Sequence, residues 1–388
     1  MKIQTLSLYS YEVPLTNGQM RSGILLNITD EKGNDGWGEI APLPRSKETL
    51  EDSLQQLHQK QEEIIKIDWT ARSCLKELAK LRLLPAVSFG LESALFSILK
   101  PLSEYTVSTS ALLMGSPQEI FEQAKLRHEE GYISAKLKVS NLTFEEAAFV
   151  INELKDKFRL RIDVNRAWKT ADSLLFFSQF PLYRNNLKNR FLTTSAWQHF
   201  FCLRSRLAIG NGRSLQTQKT APPPCQIPDS SGCFGIDTFD YVEEPFQNPN
   251  DLAQFPHPLA VDESFPQDLS LAQLESFPTL KALIYKPTIQ GGILGCLSLH
   301  EWTRKRGISL VLSSSFESDL GLAHVASIAH RLSLSTPIGI GTYHHLNDYV
   351  CSIPLQFSRF IVHIPQQLRP KMDKISSIEN RQMLKSRI

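Results

Sequence analysis

Two lysines and an aspartate, at the ends of neighbouring apolar runs, have the spacing in this chain that most directly suggests chemistry. Lys136 and Lys138 are two positions apart, and Asp163 closes the next apolar run, 158–163. Alternate residues of a strand point to the same face, so both ammonium groups would enter one cavity. Neighbouring ammonium groups disfavour each other's protonation, which predicts a lowered pKa for at least one lysine and a base near neutral pH. The competing interpretation is two solvated lysines on an edge strand.

Three carboxylates occupy corresponding places at strand ends: Asp163 in D-V-N, Glu243 in Y-V-E-E-P and Asp262 in V-D-E-S. If they meet within about 4 Å, each pair repels by about 4 kcal/mol at an effective dielectric of about 20. A hard divalent cation such as Mg²⁺, bound by oxygen ligands, would relieve that repulsion. The alternative is that they are ordinary acids at helix starts. We prefer Glu243 to Glu244, and Asp262 to Glu263, because each is nearer its strand end.

A further lysine and a run of serines end two later strands. Lys286 would enter the mouth of a barrel from the side opposite the lysine pair, with the metal between. That arrangement suits proton abstraction beside a carboxylate, because the cation neutralises the developing enolate. The hydroxyls of Ser313, Ser314 and Ser315 and nearby backbone N–H groups can hold an anionic group. The alternatives are a solvated lysine before a turn and an ordinary serine-rich loop.

The elements that must position these residues divide the chain into two parts. Residues 1–42 contain three strand-like runs with hairpin chemistry at 31–36, and helical spacing follows from Ser46. This predicts an α+β domain over about 1–100. After Pro101 the pattern alternates strand and helix, and polar residues at several strand ends favour a barrel, in which those ends converge on one mouth. The predicted strands are 107–113, 133–138, 160–163, 240–243, 259–262, 282–286 and 308–312.

Two segments do not follow this alternation. Residues 185–236 are basic, carry a proline run at 222–224 and hold three of the six cysteines, which predicts an irregular insertion at the bottom of the barrel. Contact with RNA or a protein partner is the alternative role for it. Residues 346–388 form a carboxyl-terminal segment, parts of which we expect to join the amino-terminal domain. After Pro365 this segment is polar and basic, which predicts a tail or one last helix.

Bulk composition favours no macromolecular partner. Lys plus Arg is 42 and Asp plus Glu is 40, so the charge balance indicates neither a nucleic-acid nor a membrane partner. The cysteines form no CxxC pair, which argues against a zinc site and a disulfide framework. No apolar run approaches the roughly 20 residues of a membrane-spanning helix. With no export signal, we expect a cytoplasmic protein, and its oligomeric state is unknown.

In combination, these motifs resemble the enolase superfamily and, within it, the muconate-lactonizing subgroup. The motifs are K-L-K at 136–138, D-V-N at 163–165, V-E-E-P at 242–245, V-D-E-S at 261–264 and Y-K-P at 285–287. Within the subgroup the chain looks most like the o-succinylbenzoate synthase family. The cues for that family are G-W-G-E-I-A-P-L-P at 36–44, D-V-N-R-A-W at 163–168 and S-S-S-F-E-S-D-L-G-L at 313–322. The resemblance covers about residues 1–345, apart from the insertion.

The resemblance implies a capping domain over about 1–100 and a modified TIM barrel, (β/α)₇β, over 101–345. It implies Mg²⁺, with Mn²⁺ as a possible substitute, held by Asp163, Glu243 and Asp262. The implied activity is that of a hydro-lyase acting on a small carboxylate. It would dehydrate 2-succinyl-6-hydroxy-2,4-cyclohexadiene-1-carboxylate to o-succinylbenzoate, a step in menaquinone biosynthesis.

The resemblance also implies roles for individual residues of this chain. Lys138 would take the proton α to the ring carboxylate and return it to the departing hydroxyl in a syn elimination. Lys136 would tune Lys138 and contact the carboxylate, while Lys286 would stabilise the enediolate from the other face.

Further expected roles concern support of the metal and binding of the substrate. Asn165 would support the metal site. The serines Ser313, Ser314 and Ser315 would bind the succinyl end or the carboxylate, and Arg21 would contact substrate from a capping loop.

Two other functions remain open from the sequence. A scaffold with lysines on both faces also supports racemisation of N-acylamino acids or epimerisation of dipeptides, with Lys138 and Lys286 acting in turn. A catalytically inactive binding or scaffold protein is the second alternative, with the insertion as its docking arm. A metal-binding titration separates that alternative from the enzymes.

Overall fold

The computed structural model describes residues 1–44, 47–180 and 239–378. The predicted insertion at 185–236 lies outside the described residues. Within the described ranges, no helix is both long enough and apolar enough to cross a membrane.

The amino-terminal part is a three-stranded antiparallel meander followed by three helices, as the sequence predicts. Alternating apolar residues of the strands face the helices, and the turn at 31–34 is closed by Asp30, whose Oδ1 accepts N–H groups from Lys32 and Asn34, both at 2.9 Å. The elements are β1 (Ile3–Pro14), β2 (Met20–Asp30), β3 (Asp35–Ile40), α1 (Leu50–Lys66), α2 (Cys74–Leu81) and α3 (Pro85–Leu99).

Helix α3 is the element that joins this part to the rest of the molecule. It is buried on nearly all sides, because it packs between the meander and two barrel helices. Strand β3 approaches it so closely that a Cβ at Gly38 would overlap the carbonyl oxygen of Gly90. Glycine is therefore required at this crossing for steric reasons.

The remainder is a curled parallel sheet wrapped by helices, in the strand–helix order predicted from sequence. A short strand, β4 (Tyr105–Ser108), precedes it. The sheet strands, in spatial and chain order, are β5 (Ala111–Leu113), β6 (Ser134–Lys138), β7 (Arg159–Asp163), β8 (Tyr241–Glu243), β9 (Leu259–Val261), β10 (Leu280–Tyr285) and β11 (Ser309–Leu312). The helices are α4 (Pro117–Glu129), α5 (Phe144–Leu154), α6 (Thr170–Phe177), α7 (Leu271–Leu274), α8 (Pro287–Gln290), α9 (Gly292–Arg306) and α10 (Asp319–Arg331).

Residues 338–339 close the sheet into a ring. Ile338 makes a parallel bridge to Thr109, beside β5, and Gly339 makes one to Ser313, directly after β11. The ring thus joins the first and last strands of the sheet through one short eighth segment, consistent with the (β/α)₇β architecture.

Two sequence expectations about elements were wrong. The single strand expected at 107–113 is two strands, because β4 leaves the barrel to pair with β13 (Ile361–Ile364) while β5 stays in it. A short strand, β12 (Gln356–Ser358), precedes β13. The described part of the segment after Pro365, where a tail or helix was expected, contains the strand β14 (Ile375–Ser377). Strand β14 pairs with β1 and so extends the amino-terminal sheet.

Candidate active site

Strand register brings the chemistry-bearing residues to one edge of the barrel. Lys138 lies beside Asp163 across β6 and β7, and Asp163 lies beside Glu243 across β7 and β8. Asp262 and Lys286 each follow the last residue of their strand by one position. Parallel strands in register place these five side chains at a common level, at the carboxyl ends where barrel sites form.

At that edge the lysines and acids form a compact charged cluster. The Nζ of Lys136 is 2.9 Å from Oδ2 of Asp163 and 2.7 Å from Oε1 of Glu243. Lys138 is more distant, at 3.8 Å from Oδ2 of Asp163, and Lys286 forms an ion pair with Asp262. The acids are almost wholly buried, whereas the exposed side-chain fractions of Lys136, Lys138 and Lys286 are 14%, 31% and 19%. Lys138 is therefore the least engaged and most accessible of the three.

The charges around Lys136 raise its pKa instead of lowering it. Burial alone lowers the pKa of Lys136, but Asp163 and Glu243 outweigh it and hold that pKa well above its ordinary value. The pKa of Lys286 is also raised, because the nearby Asp262 more than offsets the effect of burial. Like-charge repulsion predicted a lowered pKa for at least one lysine of the pair, and Lys136 is not that lysine, because adjacent carboxylates stabilise its charged form.

The carboxylates fit a divalent cation. Glu243, Asp262 and Glu263 each offer an oxygen, and these oxygens lie within 4.8 Å of one another. Burial and the nearby Asp163 raise the pKa of Glu243, and within the described ranges its buried Oε2 has no hydrogen-bond partner. Closely spaced buried carboxylate oxygens of this kind are the donors that Mg²⁺ prefers.

Asp163 and Glu263 occupy places that the sequence did not anticipate. Asp163 is not part of that group of three among the described residues, and its Oδ2 faces the two lysines of β6. Glu263, which we passed over as farther from its strand end, takes the third position in the group. The only feature of the sequence that could have indicated Glu263 as a ligand is its position next to Asp262. A ligand role for Asp163 stays a prediction.

Glu244 is a residue of this site that the sequence analysis did not use. Its side chain is fully buried and accepts N–H groups from Asp262 at 2.7 Å and Ser264 at 3.0 Å, and the Ser264 hydroxyl at 2.6 Å. Burial raises the pKa of Glu244 to about 7. Through these hydrogen bonds Glu244 holds the loop that carries Asp262.

Asn165 supports the cluster through its backbone. Its N–H donates to Oδ1 of Asp163 at 2.9 Å, and its φ of 49° lies in the left-handed region that asparagine tolerates better than most residues. The expected support of the metal site through Asn165 stays a prediction, and its geometric basis is this main-chain contact.

A cleft of about 650 Å³, including its open mouth, lies over the cluster. The hydroxyl of Ser314 bonds Thr342 at 2.7 Å, whereas the buried Oγ of Ser315 has no hydrogen-bond partner among the residues that the structure describes. Leu43 reaches the cleft from the amino-terminal domain. The polar lining consists chiefly of Lys136, Lys138, Lys286, Ser313, Ser314 and Ser315.

Glu317 joins the two loops on this side of the cleft. Its Oε1 accepts the Thr288 hydroxyl at 2.5 Å, and its Oε2 accepts the N–H of Ser315 at 2.6 Å. The loop after Lys286 is therefore fixed relative to the serines. Sequence reasoning missed Glu317 because nothing local links it to residue 288.

Arg21 lies away from the cleft lining. Its guanidinium donates to the carbonyls of Ala41, Pro42 and Phe316, the last two at 2.9 and 2.8 Å. It therefore ties the amino-terminal domain to the loop after β11. The structure does not bring it together with the other predicted site residues.

Comparisons with known proteins agree with this arrangement. Residues 3–98 match the family described as MenC, N-terminal domain. Relatives include the o-succinylbenzoate synthase of Vibrio cholerae serotype O1 (strain M66-2), 29% identical over 87% of this chain and 88% of that one. That of Haemophilus influenzae (strain ATCC 51907 / DSM 11121 / KW20 / Rd) is 28% identical over 88% and 91%.

Solved structures show the same fold. The L-Ala-D/L-Glu epimerase of Bacillus subtilis aligns with a TM-score of 0.69 at 17% identity, covering 98% of this chain and 100% of that one. The muconate lactonizing enzyme of Pseudomonas putida aligns with a TM-score of 0.69 at 16% identity, over 95% and 97%. Sequence similarity thus makes the chain a homologue of enzymes named o-succinylbenzoate synthase, and its fold is that of the epimerase and the muconate lactonizing enzyme.

Proposed function

We propose that this protein is a metal-dependent hydro-lyase that converts 2-succinyl-6-hydroxy-2,4-cyclohexadiene-1-carboxylate to o-succinylbenzoate in menaquinone biosynthesis. The observation that carries the proposal is the meeting of Lys138 and Lys286 in one cleft beside buried carboxylates. The similarity to o-succinylbenzoate synthases of Vibrio cholerae and Haemophilus influenzae supports the choice of substrate.

Glu243 and Asp262, together with Asp163 or Glu263, would hold Mg²⁺ or Mn²⁺. The cation supplies positive charge next to the substrate carboxylate, where negative charge develops when the α proton leaves. Glu244 keeps Asp262 in place for this purpose by accepting the N–H groups of its loop.

Lys138 is the base in this proposal. Lys136 is held by two acids and Lys286 by one, so Lys138 is the lysine whose ammonium group is most available to substrate. As the free amine it takes the α proton, and the electrons of that C–H bond form the new ring double bond. The C–O bond breaks, and the proton on Lys138 leaves with the hydroxyl as water. A single group on one face gives a syn elimination.

The remaining groups bind and orient the dianionic substrate. Lys286 and Lys136 place positive charge on two sides of the cleft, which favours the developing enediolate. The unpartnered hydroxyl of Ser315 and the neighbouring Ser313 are available for the succinyl end.

Turnover with matched lysine variants tests the proposal. Loss of diene absorbance is followed with and without Mg²⁺ for wild type, Lys138→Ala and Lys125→Ala, the last at an exposed position of α4. We expect metal-dependent turnover, a fall in kcat of about 100- to 10,000-fold for Lys138→Ala, and no change for Lys125→Ala. Activity of Lys138→Ala within about tenfold of wild type would remove Lys138 as the base.

Epimerisation or racemisation is the second candidate, because Lys286 lines the same cleft as Lys138. Two bases on opposite faces would act in turn, so Lys286→Arg should abolish racemisation yet leave some dehydration. Equal loss of both activities would defeat this division of roles. Mn²⁺ titration distinguishes an inactive scaffold from the two enzymes. A protein with neither turnover nor metal affinity would favour the scaffold.

A further inference from the structure

A second cleft lies between α3 of the amino-terminal domain and α10 of the barrel. Its volume is about 510 Å³ including its mouth, and the segment after β13 forms one wall. A neighbouring cleft of about 1020 Å³, including its mouth, shares five lining residues with it: Ser97, Pro101, His324, Gln366 and Leu368. None of the residues that line either cleft lines the cleft over the lysines.

The second cleft contains a half-buried arginine that no acid neutralises. The Nε of Arg331 donates to the hydroxyl of Ser327 at 3.1 Å, and its Nη2 donates to the carbonyl of Lys100 at 2.7 Å. Its guanidinium carbon lies 5.5 Å from the centre of the Phe96 ring. Among the described residues Arg331 has no ion-pair partner, and the cleft lining contains no Asp or Glu. A cation fixed in a cleft without a counter-charge favours an anionic ligand.

Two further polar atoms in this lining lack hydrogen-bond partners within the described part of the chain. They are the buried Oγ of Ser93 and the buried Nε2 of His324, and these residues are 4% and 7% exposed. Burial lowers the pKa of His324 to about 4, so its ring is neutral near pH 7. Buried polar atoms are rarely left unpaired in folded proteins, and these two are on the walls of the same cleft as Arg331.

The remaining walls are largely apolar, with Phe96, Leu102, Ile293 and Leu368 among them. Apolar walls with a few convergent polar groups are typical of sites for small organic ligands. We propose that this cleft is a second ligand site, which binds a small carboxylate with an apolar body, the carboxylate on Arg331 and the body against these walls. The proposal does not depend on the function proposed for the lysine cleft.

Binding of 4-bromobenzoate to the full chain tests the proposal, with the neutral 4-bromobenzamide as a matched probe. Crystals soaked in 4-bromobenzoate should show an anomalous bromine peak beside Arg331. In calorimetry, Arg331→Gln should raise the Kd for the acid by about tenfold or more, as expected for loss of a charge-assisted contact. Lys138→Ala should leave that Kd unchanged, and the amide should bind about tenfold more weakly than the acid.

Two variants guard against failure of Arg331→Gln to fold. Arg331→Lys keeps the charge and should bind the acid within a few-fold of wild type. Ser93→Ala removes only an unpartnered hydroxyl, so it should keep the wild-type Tm while raising the Kd by about threefold. The proposal is overturned by bromine solely in the lysine cleft, by equal affinity for acid and amide, by an unchanged Kd in Ser93→Ala, or by no binding at about 10 mM probe.

Discussion

At the residue scale, the lysine cleft is a set of charges that compensate one another unequally. Lys136 faces two carboxylates and Lys286 one, and Lys138 is the farthest from an acid. The same residue type thus serves as a fixed counter-charge at one position and as an accessible amine two positions along the strand. The difference arises from the acids of neighbouring strands.

Glu244 offers a test of how the acid cluster is held. Glu244→Ala removes the acceptor of two backbone N–H groups on the loop of Asp262. We expect Mn²⁺ affinity, measured by electron paramagnetic resonance, to fall by about 10- to 100-fold, as for other groups that orient a metal ligand. Glu145→Ala, at an exposed position of α5, is the control. Equal affinity in both variants would show that Glu244 does not position Asp262.

Protonation of His257 should account for part of the loss of folding stability in acid. Burial among aromatic rings lowers the pKa of His257 from 6.5 to about 4, although its ring bonds the carbonyl of Phe177. Below its unfolded pKa only the unfolded chain takes up the proton, so stability is full above about pH 6.5 and falls as the pH falls towards 4. This residue should account for a loss of roughly 2 kcal/mol between pH 7 and pH 5.

Urea unfolding of His257→Gln at those two pH values measures the effect. Gln can still donate to the Phe177 carbonyl but does not titrate, so the pH dependence should be shallower than that of wild type by that amount. An unchanged slope would mean that His257 is protonated in the folded state.

At the scale of elements, two glutamates of the amino-terminal domain accept hydrogen bonds at the starts of barrel helices. Glu39 accepts the N–H groups of Ser318 and Gly321, at 2.9 and 2.8 Å, where α10 begins. Glu92, on α3, accepts those of Ile293 and Leu294 in the first turn of α9. A carboxylate at a helix amino terminus satisfies otherwise unpaired donors and favours the helix dipole.

The hydrogen bonds of Glu92 predict that truncating its side chain strongly lowers the stability of the fold. Glu92→Ala leaves two buried N–H groups of α9 without an acceptor, so the free energy of unfolding should fall by about 2–4 kcal/mol. Glu153→Ala, exposed on α5, should change it by less than about 0.5 kcal/mol. Urea denaturation of both variants provides the comparison, and equal stability of the two would remove Glu92 as a helix cap.

At the scale of the whole molecule, the amino-terminal domain and the barrel are joined by buried polar contacts as well as by apolar packing. Arg21 bonds the loop after β11, and Glu39 and Glu92 cap two barrel helices. Separation of the domains would expose these groups without their partners. The loop bearing Ser313–Ser315 therefore depends on the amino-terminal domain for its position.

Cooperative unfolding is the expected consequence. Far-ultraviolet circular dichroism and tryptophan fluorescence should report one coincident urea transition, because Trp69 lies in the amino-terminal domain and Trp168 and Trp302 in the barrel. Circular dichroism follows the secondary structure of the whole chain, and the tryptophans follow the packing in both domains, so separate unfolding of either domain would appear as a second transition. Two resolved transitions would show that the domains are energetically independent.

Much of the fold and part of the site follow from local patterns. The apolar runs, their helical partners and the polar residues at strand ends predict a barrel, and the two-residue strand period places Lys136 and Lys138 on one face. These features depend on residues close in sequence, where backbone geometry alone sets the direction of a side chain.

Other features depend on contacts between segments far apart in the chain. The pairing of Val107 with Val362 separates β4 from the barrel, and Arg21 is drawn to the carbonyl of Phe316. The raised pKa of Lys136 and the grouping of Glu263 with Glu243 likewise arise from acids on other strands and their loops. Coulomb energies and hydrogen bonds depend on distance in space, and only the packed tertiary structure sets those distances.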